Sequence, residues 1–493
     1  MIVEPVKSLG IWVSKDLDEI TERNFSDKLL KLRNLLNMWK SRDLTIKGKI
    51  TILRTQAMPL ILYTASMLYT PDSIITEIDR QFYDFIWPKG KHHVKKKTLI
   101  QQIEQGGLKM PDIQTMIKSI KLSWVKRLLT KDNNFTLLAM ASLKINNVQE
   151  FLSYKNDVRY IDKNIPAFYV QILKYWYEMY ATEPTTNTEV REEQLWNNKY
   201  ILIDNKPAFI TKWKEKGITK INDLISNLGK FKNIQEINEQ FGSRFNVLDL
   251  YSIKSAIPTK WKQLITNENS IAVSQPELRI KINKTNKPIN VLLNKEIYWE
   301  LIEKQRQRPT AIEKWEEMYY YVNFEWDYIF TLPYRIARET YLQSLQFQIL
   351  HRYFPCASNV HIWYPHEQEK CNHCDTDDTL EHYFSECKKV KPFWSWFRRW
   401  INSIYGCNIM YCTLDIIFGI PNLNESTMLD VINFCILLAK YFIKKCKYSN
   451  IDIIEVKYKS LLKERLSVEK LLLTEENREN VFYQKWEDIY RSL

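Results

Sequence analysis

Apolar residues recur three or four positions apart along most of the chain, which is the spacing of one face of an α-helix. One such set predicts a helix over residues 26–40 and consists of Leu29, Leu32, Leu36 and Trp39. Similar patterns predict helices from Thr45, a suitable N-cap, to Pro59, over residues 74–87, 113–129 and 334–353, and over much of 401–493. The chain is therefore expected to be mainly helical.

The first residues depart from this pattern. Residues 6–13 (VKSLGIWV) form an extended apolar run that has no partner strand of its own in the sequence. Because an unpaired strand leaves its backbone N–H and C=O groups without partners, we expect a single orphan strand here, at the edge of a sheet whose remainder is missing.

Composition supports a helical fold. The 493 residues include ten glycines, about 2% where roughly 7% is usual. Scarce glycine disfavours tight β-hairpins and dinucleotide-binding βαβ units, since both use glycine at positive φ angles. The length leaves room for about two to four domains.

Positive charge is concentrated in the first quarter of the chain. The formal net charge is +13, and residues 1–130 hold 22 lysines and arginines against 13 acidic residues, a net +9. Clustered positive charge attracts polyanions, of which nucleic acid is the commonest. The alternative to a nucleic-acid partner is that the chain is basic only because it is rich in lysine.

Two groups of basic residues in this region are candidate nucleic-acid contacts. The second predicted helix carries Lys47, Lys49 and Arg54, and the loop after Trp87-Pro88 carries Lys89, Lys91, Lys95, Lys96 and Lys97 without an acidic residue. Both groups suit a phosphate backbone, because lysine supplies charge without reading base sequence. A nuclear import signal and a solvated surface remain open alternatives.

Residues 371–387 (CNHCDTDDTLEHYFSEC) contain a possible metal site. Its C-x2-C-x7-H-x4-C pattern consists of Cys371, Cys374, His382 and Cys387. Three thiolates and one imidazole complete the ligand set of a closed, tetrahedral zinc site and leave no position for substrate. The first pair suits a tight turn and the second pair a helical turn. We therefore expect a structural Zn²⁺.

Two further side chains compete for a place among these ligands. His373 lies inside the CxxC turn, and Cys356 lies a short distance upstream. The other cysteines show no disulfide spacing, and the N-terminus does not read as a signal peptide. The apolar run at 431–443 is too short to span a bilayer and is interrupted by Lys440. These features favour an intracellular protein, in the nucleus or cytoplasm, that is not secreted.

Basic and aromatic residues interleave directly after the metal-site pattern. The candidate nucleic-acid contacts are Lys388, Lys389, Arg398 and Arg399, and five aromatic residues occur between positions 393 and 400. Aromatic faces can stack on unpaired bases while the cations hold the backbone. The aromatic spacing also suits a helix packed against the metal site, so both interpretations stay open.

Short motifs along nearly the whole chain resemble, in their order, the carboxyl-terminal part of the reverse transcriptase protein of LINE-type (non-LTR) retrotransposons. They are Ser8–Ile11, Leu44–Lys49, Pro59-Leu60, Phe85–Trp87, Gly106–Leu108, Leu195–Asn197, Trp213, Gly217-Ile218, Asp223-Leu224 and Ile257-Pro258. The metal-site pattern, flanked by Leu350–Arg352 and Phe393-Trp394, is similar to the zinc-binding domain of that family.

The resemblance implies a domain order and a function. Residues 1–14 would be a remnant of the polymerase palm, 15–130 a thumb-like basic helical region, 131–340 a helical C-terminal segment, 341–400 the zinc-binding domain and 401–493 C-terminal helices. In the family these parts grip RNA and DNA for target-primed reverse transcription. The expected partners are element RNA and target DNA, with no membrane and no small-molecule substrate.

The resemblance also implies what this chain lacks. The family's polymerase holds two Mg²⁺ ions on the paired aspartates of a Phe/Tyr-Ala-Asp-Asp motif. The pair Asp377-Asp378 instead lies between the predicted zinc ligands, and the family's endonuclease has no counterpart. We therefore expect no enzymatic activity from the chain alone, and we expect Met1 to begin a fragment. A protein-interaction module and an inert transposon remnant are the alternatives to a nucleic-acid-binding fragment.

Overall fold

The computed structural model describes residues 4–88, 92–130, 134–143, 145, 147–155, 165–180, 183–226, 229–265, 278–283, 285–406, 408–409, 412–422 and 425–493. These residues are mainly helical, as predicted, with 24 α-helices and three small antiparallel sheets. The chain divides into two compact units. The first consists of Met1–Leu29, Leu60–Asp79 and Asp112–Lys304, and the second of Leu30–Pro59, Arg80–Pro111 and Gln305–Leu493.

The first five helices supply residues to both units. They are α1 (Leu17–Lys40), α2 (Ile46–Ile52), α3 (Met58–Met67), α4 (Asp72–Ile86) and α5 (Lys96–Leu99). The helix predicted over residues 26–40 thus begins earlier, at Leu17, while α4 follows its predicted range closely. Thr45 caps α2 as predicted, since its side-chain oxygen accepts a hydrogen bond from the Gly48 N–H at 3.1 Å.

Pro59 interrupts the second predicted helix in an unexpected way. A π-helical turn, Leu53–Ala57, joins α2 to α3, and the Met58 N–H bonds to the Leu53 carbonyl. Proline has no N–H to donate to the preceding turn, so the regular α-helical ladder cannot continue through this position. The wider turn absorbs the break and lets the chain continue as a helix.

The first unit contains the six strands found in the described residues and most of the middle of the chain. Its helices are α6 (Ile113–Leu129), α7 (Asn134–Leu143), α8 (Val148–Ser153), α9 (Ala167–Tyr180), α10 (Asn187–Arg191), α11 (Thr211–Glu215), α12 (Ile234–Phe241), α13 (Val247–Ala256), α14 (Thr259–Ile265) and α15 (Asn294–Glu303). One core cluster of this unit is built around Trp196, Trp213 and Trp261, which are fully buried.

The prediction of an orphan N-terminal strand is wrong in one respect, because the strand finds its partner within the same run. Strand β1 (Val6–Ser8) pairs with β2 (Ile11–Val13) in an antiparallel hairpin, with Val6 opposite Val13. Leu9 and Gly10 form the two-residue turn at φ angles of 48° and 80°. Positive φ at both positions is the geometry that matches the twist of a tight hairpin. The run therefore needs no missing sheet to satisfy its backbone.

The other two sheets of the first unit are also hairpins. Strand β3 (Leu202–Ile203) pairs with β4 (Lys206–Pro207), and β5 (Arg279–Ile282) pairs with β6 (Thr285–Pro288), both antiparallel. These short sheets leave the helical class of the fold unchanged.

The second unit is helical in its described residues. It contains α2 and α5 together with nine later helices among these residues. These are α16 (Thr310–Met318), α17 (Trp326–Ile336), α18 (Thr340–Leu350), α19 (Ala357–Trp363), α20 (Lys391–Tyr405), α21 (Thr413–Phe418), α22 (Thr427–Tyr448), α23 (Glu455–Glu475) and α24 (Glu479–Arg491). The helix predicted over residues 334–353 is divided between α17 and α18, because Ala337 adopts an extended backbone conformation.

Helix α22 forms the centre of the second unit. It packs against α17, α18, α23 and α24, and its residues 431–443 are buried apart from Tyr441. Lys440 lies within this apolar run, where its ammonium donates to the Gln346 side-chain oxygen and to the Ile417 carbonyl. Burial lowers the pKa of Lys440 to about 7. None of the helices among the described residues has both the length and the apolar character needed to cross a membrane.

Candidate metal centre and basic surfaces

The structure brings the four predicted metal ligands together. The Sγ atom of Cys387 lies 3.9 Å from that of Cys371 and 3.7 Å from that of Cys374. One ligand atom from each of these residues and from His382 falls within 4.8 Å of the others. A tetrahedral zinc with Zn–S bonds of about 2.3 Å places its sulfurs about 3.8 Å apart. The sulfur spacing therefore fits a zinc ion.

A tight turn positions the first two sulfurs. The N–H groups of Cys374 and Asp375 both donate to the Cys371 carbonyl, at 3.3 and 3.2 Å. Asp375 closes the turn with a φ of 55°, and the Cys371 N–H bonds to the Thr376 carbonyl at 2.8 Å. The Lys388 N–H donates to the Cys374 Sγ at 3.3 Å, which stabilises a thiolate at that position.

A π-helical turn positions the other two ligands. Residues five apart on an α-helix point about 140° away from each other around the axis. In the turn His382–Glu386, the Cys387 N–H instead bonds to the His382 carbonyl at 3.0 Å. This wider closure brings the imidazole and the sulfur to the same side. The sequence predicted an ordinary helical turn here, and the i to i+5 closure was not expected.

The surroundings of His382 suit a metal ligand. Its Nε2 atom is buried and has no hydrogen-bond partner among the described residues, while its Nδ1 lies 3.4 Å from the Thr376 hydroxyl. A buried ring nitrogen without a partner is costly unless another group binds it, and a metal ion would do so. Burial lowers the pKa of His382, which favours the neutral imidazole that a metal requires.

The two competing ligands lie outside the cluster. His373 is exposed and is absent from the group of converging ligand atoms. Cys356 is buried, and burial raises the pKa of its thiol to about 11. Its place at the start of α19 gives it a packing role instead.

Asp378 has a structural contact that sequence reasoning missed. Its carboxylate accepts a hydrogen bond from the Ala357 N–H at 3.2 Å, and its carbonyl accepts one from the Ser358 N–H at 3.3 Å. Asp378 thus caps α19 and ties that helix to the cysteine turn. The pair Asp377-Asp378 lies between the metal ligands, as the sequence indicated.

The cluster of candidate ligands also fixes the start of α20. The N–H groups of Val390 and Lys391 both bond to the Cys387 carbonyl, at 2.8 and 2.9 Å. The Trp394 indole N–H donates to the Phe384 carbonyl at 2.7 Å. The contacts of Phe384 and Cys387 with the first residues of α20 therefore set the direction of this helix.

The aromatic residues of α20 belong mostly to the core. Phe393, Trp394, Phe397 and Trp400 are buried, whereas Trp396 is half-buried and stacks on Trp400. The packing interpretation of their spacing therefore holds. Among the basic residues, Lys388, Lys389 and Arg399 are exposed and Arg398 is half-buried.

The basic residues of α2 and the π-helical turn after it make internal contacts. The Lys47 ammonium donates to the Gln343 side-chain oxygen, and the Lys49 ammonium donates to the Ile86 carbonyl at 3.1 Å. Burial lowers the pKa of both lysines. The Arg54 guanidinium donates to the Lys109 carbonyl at 2.6 Å. Binding of nucleic acid by these three residues stays a prediction, and their present partners tie segments of the second unit together.

The structure describes only part of the basic loop that follows Trp87-Pro88. Lys89 and Lys91 lie outside the described residues. Lys95 precedes α5 as its N-terminal cap position, and both Lys95 and Lys97 are exposed, while Lys96 is half-buried. The described part of the loop therefore presents positive charge at the surface.

Two motifs of the retrotransposon resemblance touch each other in the second unit. The His351 Nε2–H donates to the Gly106 carbonyl at 2.8 Å, across 245 positions of sequence. The His351 ring also stacks on Phe330 and lies against Phe347. No local spacing could have indicated this contact.

Comparisons with known proteins give a partial similarity. No protein-family model matches the chain. The chain is similar to a putative ribonuclease H protein from Arabidopsis thaliana, with 23% identity over 128 residues. The match covers 24% of this chain and 20% of that protein, so the chain spans a fifth of its relative's length. This partial match fits the retrotransposon-related character that the sequence motifs indicate.

Proposed function

We propose that this chain binds nucleic acid through a basic surface that a structural zinc ion holds in place. One observation carries the proposal: the four converging ligands are followed at once by exposed cations. Lys388 and Lys389 come directly after the ligand Cys387, and Arg399 lies further along α20. None of these three forms an ion pair within the described part of the chain.

The role of zinc in this proposal is structural. Bound to three thiolates and an imidazole, the ion would close the cysteine turn and the π-helical turn onto each other. The Lys388 backbone, bonded to the Cys374 sulfur, would then be held in one orientation. Fixed cations lose less conformational freedom on binding a phosphate than cations on a mobile loop.

We further propose that the chain is the non-catalytic carboxyl-terminal part of a LINE-type reverse transcriptase. The ordered motifs support this assignment, and so does the partial similarity to a protein named as a putative ribonuclease H protein. Element RNA and target DNA are then the natural ligands. The chain would grip them while the catalytic aspartates of the parent enzyme, which have no counterpart motif here, would perform polymerisation.

A protein-interaction role is the second candidate. It is favoured by an exposed apolar face on α13, where Leu248 is 71% and Tyr251 67% exposed. Association with a partner protein that survives nuclease treatment, and that is lost on Leu248→Ser with Tyr251→Ser, would favour this alternative.

The test of the proposed function is a charge-reversal experiment on the full chain. Lys388→Glu, Lys389→Glu and Arg399→Glu are combined and compared with a control that reverses Lys206, Lys216 and Lys304, three exposed lysines of the first unit. Binding of labelled single-stranded RNA is followed by fluorescence anisotropy. We expect the first variant to lose at least about tenfold in affinity, near 1.4 kcal/mol, and the control to lose much less. Equal losses would show that only net charge matters and would contradict the proposal.

A further inference from the structure

Two adjoining cavities lie in the second unit beside the basic loop. Their volumes are about 430 and 410 Å³, and both are lined by His92, His93, Thr310, Ala311 and His351. The lining comes from Tyr83 and residues 92–98, from residues 309–314 at the start of α16, and from residues between His351 and Trp363. Three distant stretches of sequence thus meet at one concave surface.

The charge of this surface is of one sign. Lys95, Lys96, Lys314 and Arg352 line the cavities, and no aspartate or glutamate is among the described residues that line them. Arg352 is held by stacking on Trp315 at 4.2 Å and by Glu381 at 3.9 Å, while Lys314 and Lys95 are exposed. Such a surface attracts an anion.

One wall of the cavities is aromatic. The His93 ring stacks on Tyr353, with the centroids 5.3 Å apart and the planes at 12°, and it lies 4.6 Å from the Trp363 ring. His93, Tyr353 and Trp363 all line the first cavity. A planar, π-faced group can stack against a wall of this kind.

Two of the lining residues carry backbone hydrogen-bond donors that have no acceptor among the described residues. Helix α16 begins at Thr310, and the Thr310 and Ala311 N–H groups have no acceptor among the described residues, whereas the Ile312 N–H bonds to Pro309. The first N–H groups of a helix, together with its dipole, favour a negative ligand. Tyr353 lines the cavity at 8% exposure, and its hydroxyl has no hydrogen bond within the described part of the chain.

We propose that these cavities bind one nucleotide unit of a single-stranded nucleic acid. Its phosphate lies at the start of α16 between Lys314 and Lys95, and its base lies against the wall formed by His93, Tyr353 and Trp363. A base reaches such a wall only when it is unstacked from its neighbours, which selects single strands over duplexes. This inference rests on the proposed function and adds a second contact to it, in the same unit as the surface after Cys387.

The test uses a helix start that α16 shares with α14. Both α16 and α14 begin with threonine directly after proline, at Thr310 and Thr259. Proline is tolerated at the first position of a helix, so Thr310→Pro removes one N–H and one hydroxyl from the cavity without breaking α16. Thr259→Pro is the matched control in the first unit.

A second pair of variants tests the cations. Lys95→Glu with Lys314→Glu removes charge from the cavities, and Lys457→Glu with Lys463→Glu, both on exposed positions of α23, is the control for net charge. The probe is a labelled oligouridine as RNA, as its DNA equivalent, and annealed to its complement.

We expect Thr310→Pro and the cavity charge variant each to weaken binding of the single strand by about tenfold, with little effect from either control. Tighter binding of RNA assigns RNA as the ligand, and tighter binding of DNA assigns DNA. Equal losses in cavity and control variants overturn the cavity site while leaving the proposed function standing. Equal losses for duplex and single strand overturn the base-binding wall. A wild-type chain that binds no oligonucleotide overturns both proposals.

Discussion

At the scale of single residues, close packing explains the glycine pair at positions 106 and 107. A Cβ atom on Gly107 would lie 2.1 Å from the Gln101 carbonyl oxygen and 2.7 Å from that of Thr98. Gly106 adopts a φ of 80°, and a Cβ there would lie 2.9 Å from the Phe330 ring. Which backbone atoms approach this glycine pair follows only from the fold.

The Gly107 contact yields a stability prediction. Gly107→Ala should lower the free energy of unfolding by about 2–4 kcal/mol, because the backbone of residues 98–101 must move to admit the methyl group. Gly48→Ala is the control, since a Cβ there finds its nearest neighbour at 3.4 Å and alanine favours a helix by up to about 1 kcal/mol. Urea denaturation measures both. A Gly107→Ala chain as stable as the control would contradict the packing described for this turn.

His351 predicts a dependence of stability on pH. Burial lowers its pKa from 6.5 to about 4, although the bond to the Gly106 carbonyl acts in the opposite direction. The unfolded chain therefore binds a proton between these values that the folded chain does not bind. Its stabilising contribution is complete above about pH 6.5 and is lost as the pH falls towards 4.

The measurement compares unfolding free energies of the wild type and of His351→Gln between pH 6.5 and 5. The wild type should lose up to about 1.4 kcal/mol more per pH unit than the variant, whose amide can still donate to Gly106 but does not titrate. Parallel pH profiles would show that His351 is not buried as described.

Spacing along a helix does not by itself show which side chains are exposed to solvent. Lys47, Lys49 and Arg54 lie on positions that suit a solvated basic surface, yet each donates a hydrogen bond to another segment of the second unit. Helical periodicity shows which positions share a face, but it does not show what packs against that face. Lys388 and Lys389 follow the candidate metal ligand Cys387 directly and are exposed, and their binding of nucleic acid stays a prediction.

At the scale of elements, the candidate metal centre shows which features depend on local sequence alone. The grouping of the four candidate ligands could be predicted because all four fall within seventeen residues, and the structure brings them together. The π-helical turn, the Thr376 contact and the capping of α19 by Asp378 could not be predicted, since each depends on how the loop folds. The N-terminal hairpin is a similar case, because its turn requires Leu9 to adopt a positive φ.

The metal centre predicts a specific loss on mutation. Cys374→Ser should reduce bound zinc from one ion per chain to a small fraction and should expose the backbone of residues 371–405 to hydrogen exchange, because the ion would join both turns. Cys412→Ser, at an exposed thiol outside the cluster, should retain zinc and protection. Elemental analysis and hydrogen-exchange mass spectrometry give the two readouts. Full zinc occupancy in the Cys374→Ser chain would contradict the ligand assignment.

At the scale of the whole molecule, the chain forms two units from interleaved segments. Three segments make the first unit and three make the second, so each unit requires contacts between distant parts of the sequence. Helical periodicity and scarce glycine predicted a mainly helical fold, and the structure confirms it. The division could not be predicted, because no linker composition marks the points where the chain passes between units. The five domains implied by the resemblance stay a prediction.

We propose that this chain binds nucleic acid through fixed cations, and the dependence of its RNA affinity on salt tests this binding most directly. The association constant of the zinc-loaded full chain for single-stranded RNA is measured by anisotropy over a series of salt concentrations. Each neutralised phosphate adds about −0.7 to the slope of log K against log salt. Contacts from Lys388, Lys389 and Arg399 together with the cavity beside α16 predict a slope of about −3 or steeper. An affinity that does not fall as salt rises would contradict the account.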